Sequence, residues 1–376
     1  MNIGVPKELK KLEYRVGLSP ASAKQYCGHG HRVYVQSEAG LGSGFTDEEY
    51  IQVGCTIVPT IQDVYRIGEM IIKVKEPLGP EYDLMREGQI LFTFLHLAAS
   101  KELTQVMMDR KVIGIAYETI KDDQGRLPCL RPMSEIAGRL SIQEGARFLE
   151  KNAGGKGILL GGVPGVAPGH VVVIGADGYA GYNATEIALG MQANVTAISL
   201  TFHQLPKLKK QFGEQLILKE SNESTIQEAL KTADLVVSAV LIPGAKAPKL
   251  IRKDHLKLMQ PGSVIVDIAI DQGGSTETSM LTYHDNPIYK VDDIIHYCVG
   301  NMPGAVPRTS TLALNQATLP YGLAIANLGY QRALKENKGL LQGLNTYLGK
   351  ITCEPVATAF GLPSWSLDQV IQSFSK

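Results

Sequence analysis

VVVIGADGYAG, at residues 171–181, places a run of β-branched residues directly before a loop with three glycines. Residues 179–191 then have the composition of a helix, and residues 195–200 return to a strand pattern. In such a βαβ unit the glycines let a pyrophosphate approach the backbone, and the N-terminus of the helix attracts it. The segment therefore predicts a Rossmann domain that binds a dinucleotide.

The glycine loop is longer than the common form. Gly175, Gly178 and Gly181 follow the spacing GxxGxxG, one residue longer than GxGxxG. Asp177 lies within the loop, where a carboxylate repels a pyrophosphate unless its side chain turns outward. The alternative to a nucleotide loop is a plain tight turn, but the βαβ context favours the nucleotide loop.

The second strand of this unit lacks the acidic residue that holds the adenine ribose, which is expected roughly 20 residues after the loop. Ser199 stands at that place, and no Asp or Glu occurs between Glu186 and Glu214. A 2′-phosphate could be met by Ser199, Thr201 and nearby His203 or Lys207, but no Arg is present to grip it with two hydrogen bonds. We expect NAD as the cofactor, with NADP as the alternative.

The rest of the chain predicts a second α/β domain. Short β-branched runs alternate with helix-length segments over residues 1–130, and strands at 235–240 and 264–268 continue the Rossmann sheet. Two long helices are expected, one at 134–150 capped by Ser134 and one from Leu312 that is opened by 309–311 and interrupted by Pro320. The expected fold is two doubly wound parallel-sheet domains, 1–132 with 308–376 returning to it, and a Rossmann domain at 133–307.

The composition excludes several classes of protein. The 376 residues exceed what one core usually serves, and 37 Lys and Arg balance 37 Asp and Glu, so a nucleic-acid partner is not expected. The five cysteines are widely spaced and lack metal-binding spacing, which favours reduced thiols and no metal site. No apolar run reaches about 18 residues, and we expect a cytoplasmic protein without a membrane partner.

Polar residues follow predicted apolar strands at the edge where open α/β sheets bind ligands. Lys75 follows MIIKV, His96 follows ILFTF, and Asp271 follows VIVDI. A structural role remains an alternative for each of them: a solvated strand end, a hydrogen-bonded core histidine and a turn residue. Arg15, in the sequence EYR, could likewise belong to an exposed ion cluster.

Eight segments in matching order together resemble the alanine dehydrogenases almost from end to end. They are GVPKE at 4–8, YRVGLSP at 14–20, KVKEP at 73–77, FTFLHLAA at 92–99, MSEIAGR at 133–139, LGGVPGV at 160–166, DIAIDQGG at 267–274 and GNMPGAVP at 300–307. The resemblance implies reversible oxidative deamination of L-alanine to pyruvate and ammonia, with hydride transfer to NAD. The family usually has a shorter glycine loop and an Asp where Ser199 stands, so this chain departs from it only at the nucleotide site.

The resemblance also implies roles for individual residues. Arg15 and Lys75 would bind the carboxylate and carbonyl of the substrate, His96 would donate and accept protons, and Asp271 would assist proton transfer. Further residues would contact the cofactor, and the chain would form a homo-hexamer with domains that close over the cofactor. The expected cofactor contacts are Ser134, Gly175, Gly178, Tyr179, Ala180, Gly181, Ser199, Ser221, Val240, Leu241, Ile268, Ala269, Ile270, Asp271, Val299, Asn301 and Met302.

Two other hypotheses fit parts of this pattern. The chain could be the nucleotide-binding subunit of a transhydrogenase, which would need a membrane partner but no amino-acid substrate. It could also be a non-catalytic dinucleotide-binding homologue with an altered glycine loop. The complete set of Arg15, Lys75 and His96 favours the enzyme over both.

Overall fold

The computed structural model describes residues 1–240 and 247–374. It divides into two compact units, one formed by Met1–Pro132 with Val306–Lys376 and the other by Met133–Ala305. The strands are β1 Asn2–Val5, β2 Arg32–Gln36, β3 Thr56–Val58, β4 Met70–Ile72, β5 Ile90–Thr93, β6 Ile113–Ala116, β7 His170–Ile174, β8 Asn194–Ser199, β9 Leu216–Glu220, β10 Leu235–Ser238, β11 Val264–Asp267, β12 Ile288–Val291, β13 Ile294–Tyr297, β14 Leu344–Tyr347 and β15 Lys350–Ile351.

Helices alternate with most of these strands, as expected for an α/β fold. They are α1 Pro20–Gly28, α2 Asp47–Gln52, α3 Ile61–Ile67, α4 Gly79–Tyr82, α5 Lys101–Asp109, α6 Arg131–Leu149, α7 Tyr179–Gly190, α8 Leu205–Phe212, α9 Glu223–Leu230, α10 Pro307–Leu328, α11 Tyr330–Glu336, α12 Lys338–Leu341, α13 Glu354–Phe360 and α14 Leu367–Ser373. In the part of the chain that the structure describes, no helix is both long enough and apolar enough to cross a membrane.

The first unit contains an eight-stranded sheet in the order β15-β14-β6-β5-β4-β1-β2-β3. Strands β1 to β6 are parallel, whereas β14 is antiparallel to β6 and to β15. Strands β4, β5 and β6 are buried along their whole length, which explains their unbroken apolar runs. The chain builds the sheet outward from β1 in one direction and from β4 in the other, so the strand order reverses between these two neighbours.

The second unit contains a seven-stranded sheet in the order β12-β13-β11-β10-β7-β8-β9. All neighbours are parallel except β12, which is antiparallel to β13. The strand order reverses between β7 and β10. Ligands of open α/β sheets bind beyond the carboxyl ends of the strands at such a reversal. The predicted α/β class is confirmed, with antiparallel strands added at one edge of each sheet.

Two predicted helix starts were wrong. α6 begins at Arg131, so Ser134 lies inside the helix and is not its N-cap. α10 begins at Pro307, ahead of the supposed capping run, because proline fits the first turn of a helix, where its missing N–H is not needed. Pro320 does not interrupt α10, which continues to Leu328 with buried residues on both sides of the proline.

Candidate active site

Lys75 and Arg15 follow the two strands at which the order of the first sheet reverses. The backbone N–H of Lys75 donates to Glu8 Oε1 at 3.3 Å, and the carbonyl of Lys75 accepts a hydrogen bond from Thr93 Oγ1 at 2.9 Å. Glu8 Oε1 also accepts the N–H of Val74 at 2.7 Å. The backbone of Val74 and Lys75 is therefore fixed to Glu8 in the segment after β1. Arg15 lies further along the same segment.

Arg15 is held by a carboxylate two residues earlier in the chain. Its Nε and Nη2 each donate to Glu13 at 2.6 Å, one to each carboxylate oxygen. The backbone N–H of Arg15 also donates to Glu13, at 3.1 Å. Arg15 is 2% exposed, so this two-pronged pair sets the plane of a buried guanidinium. An exposed ion cluster was an alternative for Arg15, and the burial of this pair contradicts it.

A buried ionic cluster beneath Lys75 was missed from the sequence. Lys73 Nζ lies 2.7 Å from Glu81 and 3.3 Å from Glu8, and Tyr65 donates its hydroxyl to Glu81 at 2.9 Å. Burial alone would lower the pKa of Lys73, but the charges of Glu8 and Glu81 outweigh it and raise the pKa. Burial raises the pKa of the Glu8 carboxyl. A lysine inside the apolar run MIIKV was the signal for this cluster, because a buried ammonium needs carboxylate partners.

His96 has a left-handed backbone conformation, with φ 47°. The N–H groups of Leu95 and His96 both donate to Glu118 Oε1, at 3.1 and 2.6 Å, and this carboxylate stabilises the sharp bend. The imidazole stacks on Phe94 with ring centroids 5.7 Å apart. Its Nδ1 lies 3.2 Å from Glu76 Oε2. The ring is therefore oriented through Nδ1, which leaves Nε2 as the nitrogen for proton exchange.

Glu76 connects His96 to a second cation. Its other oxygen, Oε1, accepts a hydrogen bond from Lys10 Nζ at 2.7 Å. Burial alone would raise the pKa of Glu76, but the hydrogen bonds from His96 and Lys10 and the charges of Lys10 and Lys75 lower it far below its usual range. Glu76 is thus ionised at neutral pH. The structure therefore places His96 and Lys10 on one carboxylate, that of Glu76, which directly follows Lys75 in the chain and was not predicted as a site residue.

In the second unit, the predicted cofactor residues follow the carboxyl ends of successive parallel strands. The glycine loop follows β7, Ser199 ends β8, Ser221 follows β9, and Val240 lies two residues beyond β10. The backbone N–H of Ser221 donates to the carbonyl of Ser199 at 2.9 Å. Leu241 lies outside the described residues. These residues therefore share one edge of the sheet, on both sides of the order reversal.

The glycine loop has the close backbone packing that a pyrophosphate site requires. Gly175 has φ +80°, a conformation that side chains disfavour. A Cβ on Gly181 would lie 2.2 Å from the carbonyl oxygen of Gly175, so only glycine fits there. Gly178 is the N-cap of α7, with Tyr179 and Ala180 as the first helical residues. Backbone N–H groups at a helix start can meet a dinucleotide phosphate, so the loop fits the expected group.

Asp177 turns away from the start of α7 and toward the segment after β8. Its carboxylate accepts hydrogen bonds from Thr201 Oγ1 at 2.9 Å and from the N–H groups of His203 and Gln204, each at 2.8 Å. Burial alone would raise the pKa of Asp177, but these hydrogen bonds outweigh it and lower the pKa. The repulsion considered for an inward-facing carboxylate is thereby avoided.

The remaining predicted residues surround the ends of β11 and β13. Ile268, Ala269, Ile270 and Asp271 form a 3-10 helix that ends at Gln272. Asp271 Oδ2 accepts a long hydrogen bond from the N–H of Asn301 at 3.4 Å. Asn301 has φ +60°, and its neighbours Val299 and Met302 are buried. The structure thus brings Asp271 and Asn301 together, while Ser134 lies on α6.

Nothing in the described ranges 1–240 and 247–374 groups three or more His, Cys, Asp or Glu side chains as a metal site would.

Comparisons with known proteins identify both units. The family described as alanine dehydrogenase/PNT, N-terminal domain, matches residues 4–137, and its C-terminal domain matches residues 141–354. An alanine dehydrogenase of Methanococcus maripaludis is 56% identical over 96% of this chain and 97% of its own length. One from Staphylococcus haemolyticus is 52% identical over 99% of this chain and 100% of its own, and one from Mycolicibacterium smegmatis is 50% identical over 96% and 98%.

Solved structures agree with these relatives. An L-alanine dehydrogenase structure matches with a TM-score of 0.92 and 48% identity, covering 96% of this chain and 99% of that one. A transhydrogenase from Sinorhizobium meliloti shares the fold, with a TM-score of 0.81 and 22% identity over 94% of this chain and 100% of its own. The resemblance read from the eight sequence segments is confirmed: this chain belongs to the alanine dehydrogenase/PNT family.

Proposed function

We propose that this chain catalyses the reversible oxidative deamination of L-alanine to pyruvate and ammonia, with NAD as the cofactor. The observation that carries the proposal is the polar cluster at the order reversal of the first sheet. It holds a buried guanidinium, a lysine and an oriented imidazole in a chain about half identical, over nearly its full length, to relatives named alanine dehydrogenase. The first unit is proposed as the substrate and catalytic domain, and the second as the NAD-binding domain.

The substrate side supplies charge and proton transfer. Pyruvate and alanine are small carboxylates, which suit the planar guanidinium of Arg15, and the ammonium of Lys75 can polarise the keto oxygen as negative charge develops on it. His96 exchanges a proton at Nε2 while Glu76 holds Nδ1 at 3.2 Å. In the deamination direction His96 accepts a proton from the amine, and later it exchanges a proton with the water that attacks the imine. Asp271, held beside Asn301, is proposed to assist this proton transfer.

The cofactor side is proposed to hold the dinucleotide along the edge formed by the glycine loop, Ser199, Ser221 and Val240. When bound, nicotinamide accepts the hydride from the α-carbon of alanine. The start of α7, at the end of the glycine loop, offers backbone N–H donors to the pyrophosphate, and Ser199 lies at the strand end where the adenine ribose binds in this fold. The 3-10 helix 268–272 and residues 299–302 are proposed to contact the nicotinamide half, with Ser134 and Leu241 as further contacts.

The test is the oxidation of reduced cofactor by pyruvate and ammonium, run in parallel with NADH and NADPH. Turnover is expected with NADH. Lys75→Met removes the ammonium but keeps a side chain of similar length, and it is expected to lower kcat/KM by about 10²–10³-fold, the loss typical of removing one transition-state donor. Lys24→Met, at an exposed position of α1, is the matched control and is expected to keep wild-type activity.

The assay also separates the rival hypotheses. A non-catalytic homologue would bind NADH without turnover, and a transhydrogenase subunit would bind it without needing pyruvate or ammonium. The transhydrogenase structure is 22% identical and supports a shared fold alone. Absence of turnover with both cofactors, in a protein that is folded and binds NADH, would contradict the proposed activity.

Assembly and location complete the proposal. We infer a homo-hexamer, which is supported by the family and by exposed apolar side chains of the second unit: Leu159 is 67%, Val163 53% and Val166 63% exposed. Sedimentation velocity would measure the number of chains. The inferred cytoplasmic location is supported by five cysteine thiols that form no disulfide in the structure.

A further inference from the structure

We propose that Asp177 selects the unphosphorylated dinucleotide, by placing a carboxylate beside Ser199 where the 2′-phosphate of NADP would have to lie. The inference rests on the proposed function, because it assigns the selectivity of the same cofactor site. This would explain both the extra residue of the glycine loop and the missing acid at the end of β8. The loop, through Asp177, supplies the carboxylate that the strand end supplies in the usual form of the fold.

Backbone pairing places the loop and the strand end together. β7 and β8 are parallel with Ile174 opposite Ile198, so both strands end at the same edge. The N–H of Gly175 donates to the carbonyl of Ile198 at 2.9 Å, and the N–H of Asp177 donates to Ser199 Oγ at 3.4 Å. Three residues beyond the end of β7, the loop is therefore in contact with the residue that stands where the ribose-binding acid is expected.

The carboxylate of Asp177 is held in position. Oδ2 accepts from Thr201 Oγ1 and from the N–H of His203, and Oδ1 accepts from the N–H of Gln204. The N–H of Leu205 also donates to this carboxylate, so hydrogen bonds from the chain itself fix its orientation. They lower the pKa of Asp177, so the carboxylate stays charged. A phosphate bears only negative oxygens toward it and is repelled.

The charges around Ser199 decide whether the site favours NADH or NADPH. No other acidic residue occurs between Glu186 and Glu214, whereas His203 and Lys207 lie in the segment after β8 and at the start of α8. Lys209 is directed toward the end of α8, where it donates to the carbonyls of Gly213 and Leu216. Glu220 ends β9 opposite Ser199 with an exposed side chain, and Asp177 is the acidic residue that the glycine loop itself brings to this edge. Neutralising Asp177 would weaken the repulsion of a 2′-phosphate there.

The experiment measures dissociation constants for NADH and NADPH by nicotinamide fluorescence, without substrate. Asp177→Asn keeps the size of the side chain and removes its charge. It is expected to raise the affinity for NADPH relative to NADH about tenfold or more, the scale of one lost charge repulsion across a few ångströms near a protein surface. Adding Ser199→Asp to this variant returns a carboxylate to the site and is expected to restore the preference for NADH.

Gln204→Met is the matched control, because it removes the hydrogen bond from Gln204 Nε2 to the carbonyl of Asp177 and keeps the charge. Its ratio of NADPH to NADH affinity is expected to stay at the wild-type value. Equal loss of both affinities in Asp177→Asn would overturn the inference, since a purely structural role weakens both alike. A shift in Gln204→Met as large as that in Asp177→Asn would overturn it too.

A second measurement needs no variant, and it decides the matter if Asp177→Asn fails to fold. Salt screens the repulsion between Asp177 and a 2′-phosphate, so the affinity of the wild-type protein for NADPH relative to NADH is expected to rise with ionic strength. A fall would mean that basic groups dominate the site and would overturn the inference. Binding of NADH without turnover of pyruvate and ammonium would contradict the proposed function alone, whereas binding of neither nucleotide would overturn both.

Discussion

Gly181→Ala tests whether the tight packing of the glycine loop supports both stability and cofactor binding. The added Cβ would lie 2.2 Å from the carbonyl oxygen of Gly175 and 2.6 Å from Cα of Ala176. Both are backbone atoms, and real contacts of this kind stay above 3.0 Å, so the loop and the helix must separate by most of an ångström. Overpacking of this kind costs about 1–3 kcal/mol of unfolding free energy.

The same displacement moves the N–H groups that would face the pyrophosphate. Charge-assisted hydrogen bonds contribute about 1.5–3 kcal/mol each, so losing one lowers the affinity for NADH by roughly 10- to 100-fold. Denaturant titration gives the free energy of unfolding, and titration of nicotinamide fluorescence gives the dissociation constant.

Gly190→Ala is the matched control in the same helix. A Cβ there has no atom within 4 Å, and alanine is a better helix residue than glycine, so this variant is expected to gain up to about 0.5–1 kcal/mol. It should bind NADH as the wild type does. If Gly181→Ala were as stable as Gly190→Ala, or bound NADH with unchanged affinity, the packing argument would be refuted.

Three further predictions concern the first unit. Glu76→Gln removes the charged partner of His96 Nδ1 and is expected to lower kcat about 10- to 100-fold, as measured by steady-state kinetics; unchanged kcat would mean that the ring needs no such partner. Glu13→Gln leaves Arg15 buried without its carboxylate and is expected to lower the free energy of unfolding, measured with denaturant, by about 3–5 kcal/mol. A loss below about 1 kcal/mol would mean that the pair contributes no more than an exposed salt bridge does. Lys73→Met leaves the buried carboxylates of Glu8 and Glu81 without their cation. A carboxyl whose pKa is raised in the folded state destabilises the fold once it ionises, so the melting temperature of this variant should be lowered at neutral pH and should recover as the pH falls toward 4.5. A loss of melting temperature that does not depend on pH would contradict this.

Sequence patterns predicted the α/β class and most buried strands well, because fully buried parallel strands are continuous apolar runs. The edge strands β12 and β15 were missed. β12 is only partly buried and β15 has two residues, so neither has a clear pattern of its own. The helix starts at Arg131 and Pro307 were also missed. Ser134 and residues 309–311 have the composition of helix caps, but each helix begins a few residues earlier, with a proline in its first turn.

The site was predicted less completely than the fold. Strand-end position singled out Lys75 and His96, but the carboxylates that orient them are distant in sequence. Glu118 reaches the backbone of His96 across 22 residues, and Glu8 reaches Lys75 across 67. Such partners depend on which strands become neighbours, and single-sequence periodicity does not contain that information. The direction of the Asp177 side chain is of the same kind, because it depends on the loop after β8.

The pairing of β14 with β6 has a consequence for biosynthesis. The ribosome makes β6 by residue 116 but does not reach β14 until residue 344, after the whole continuous second unit has been made. Throughout that interval one edge of the first sheet has no partner strand from its own chain, and nascent chains with open strand edges are prone to aggregate. Because the second unit is one uninterrupted segment, it can fold before β14 and β15 of the first unit have been synthesised. Truncation shortly before residue 344 should therefore spare the second unit and leave the first exposed to misassembly.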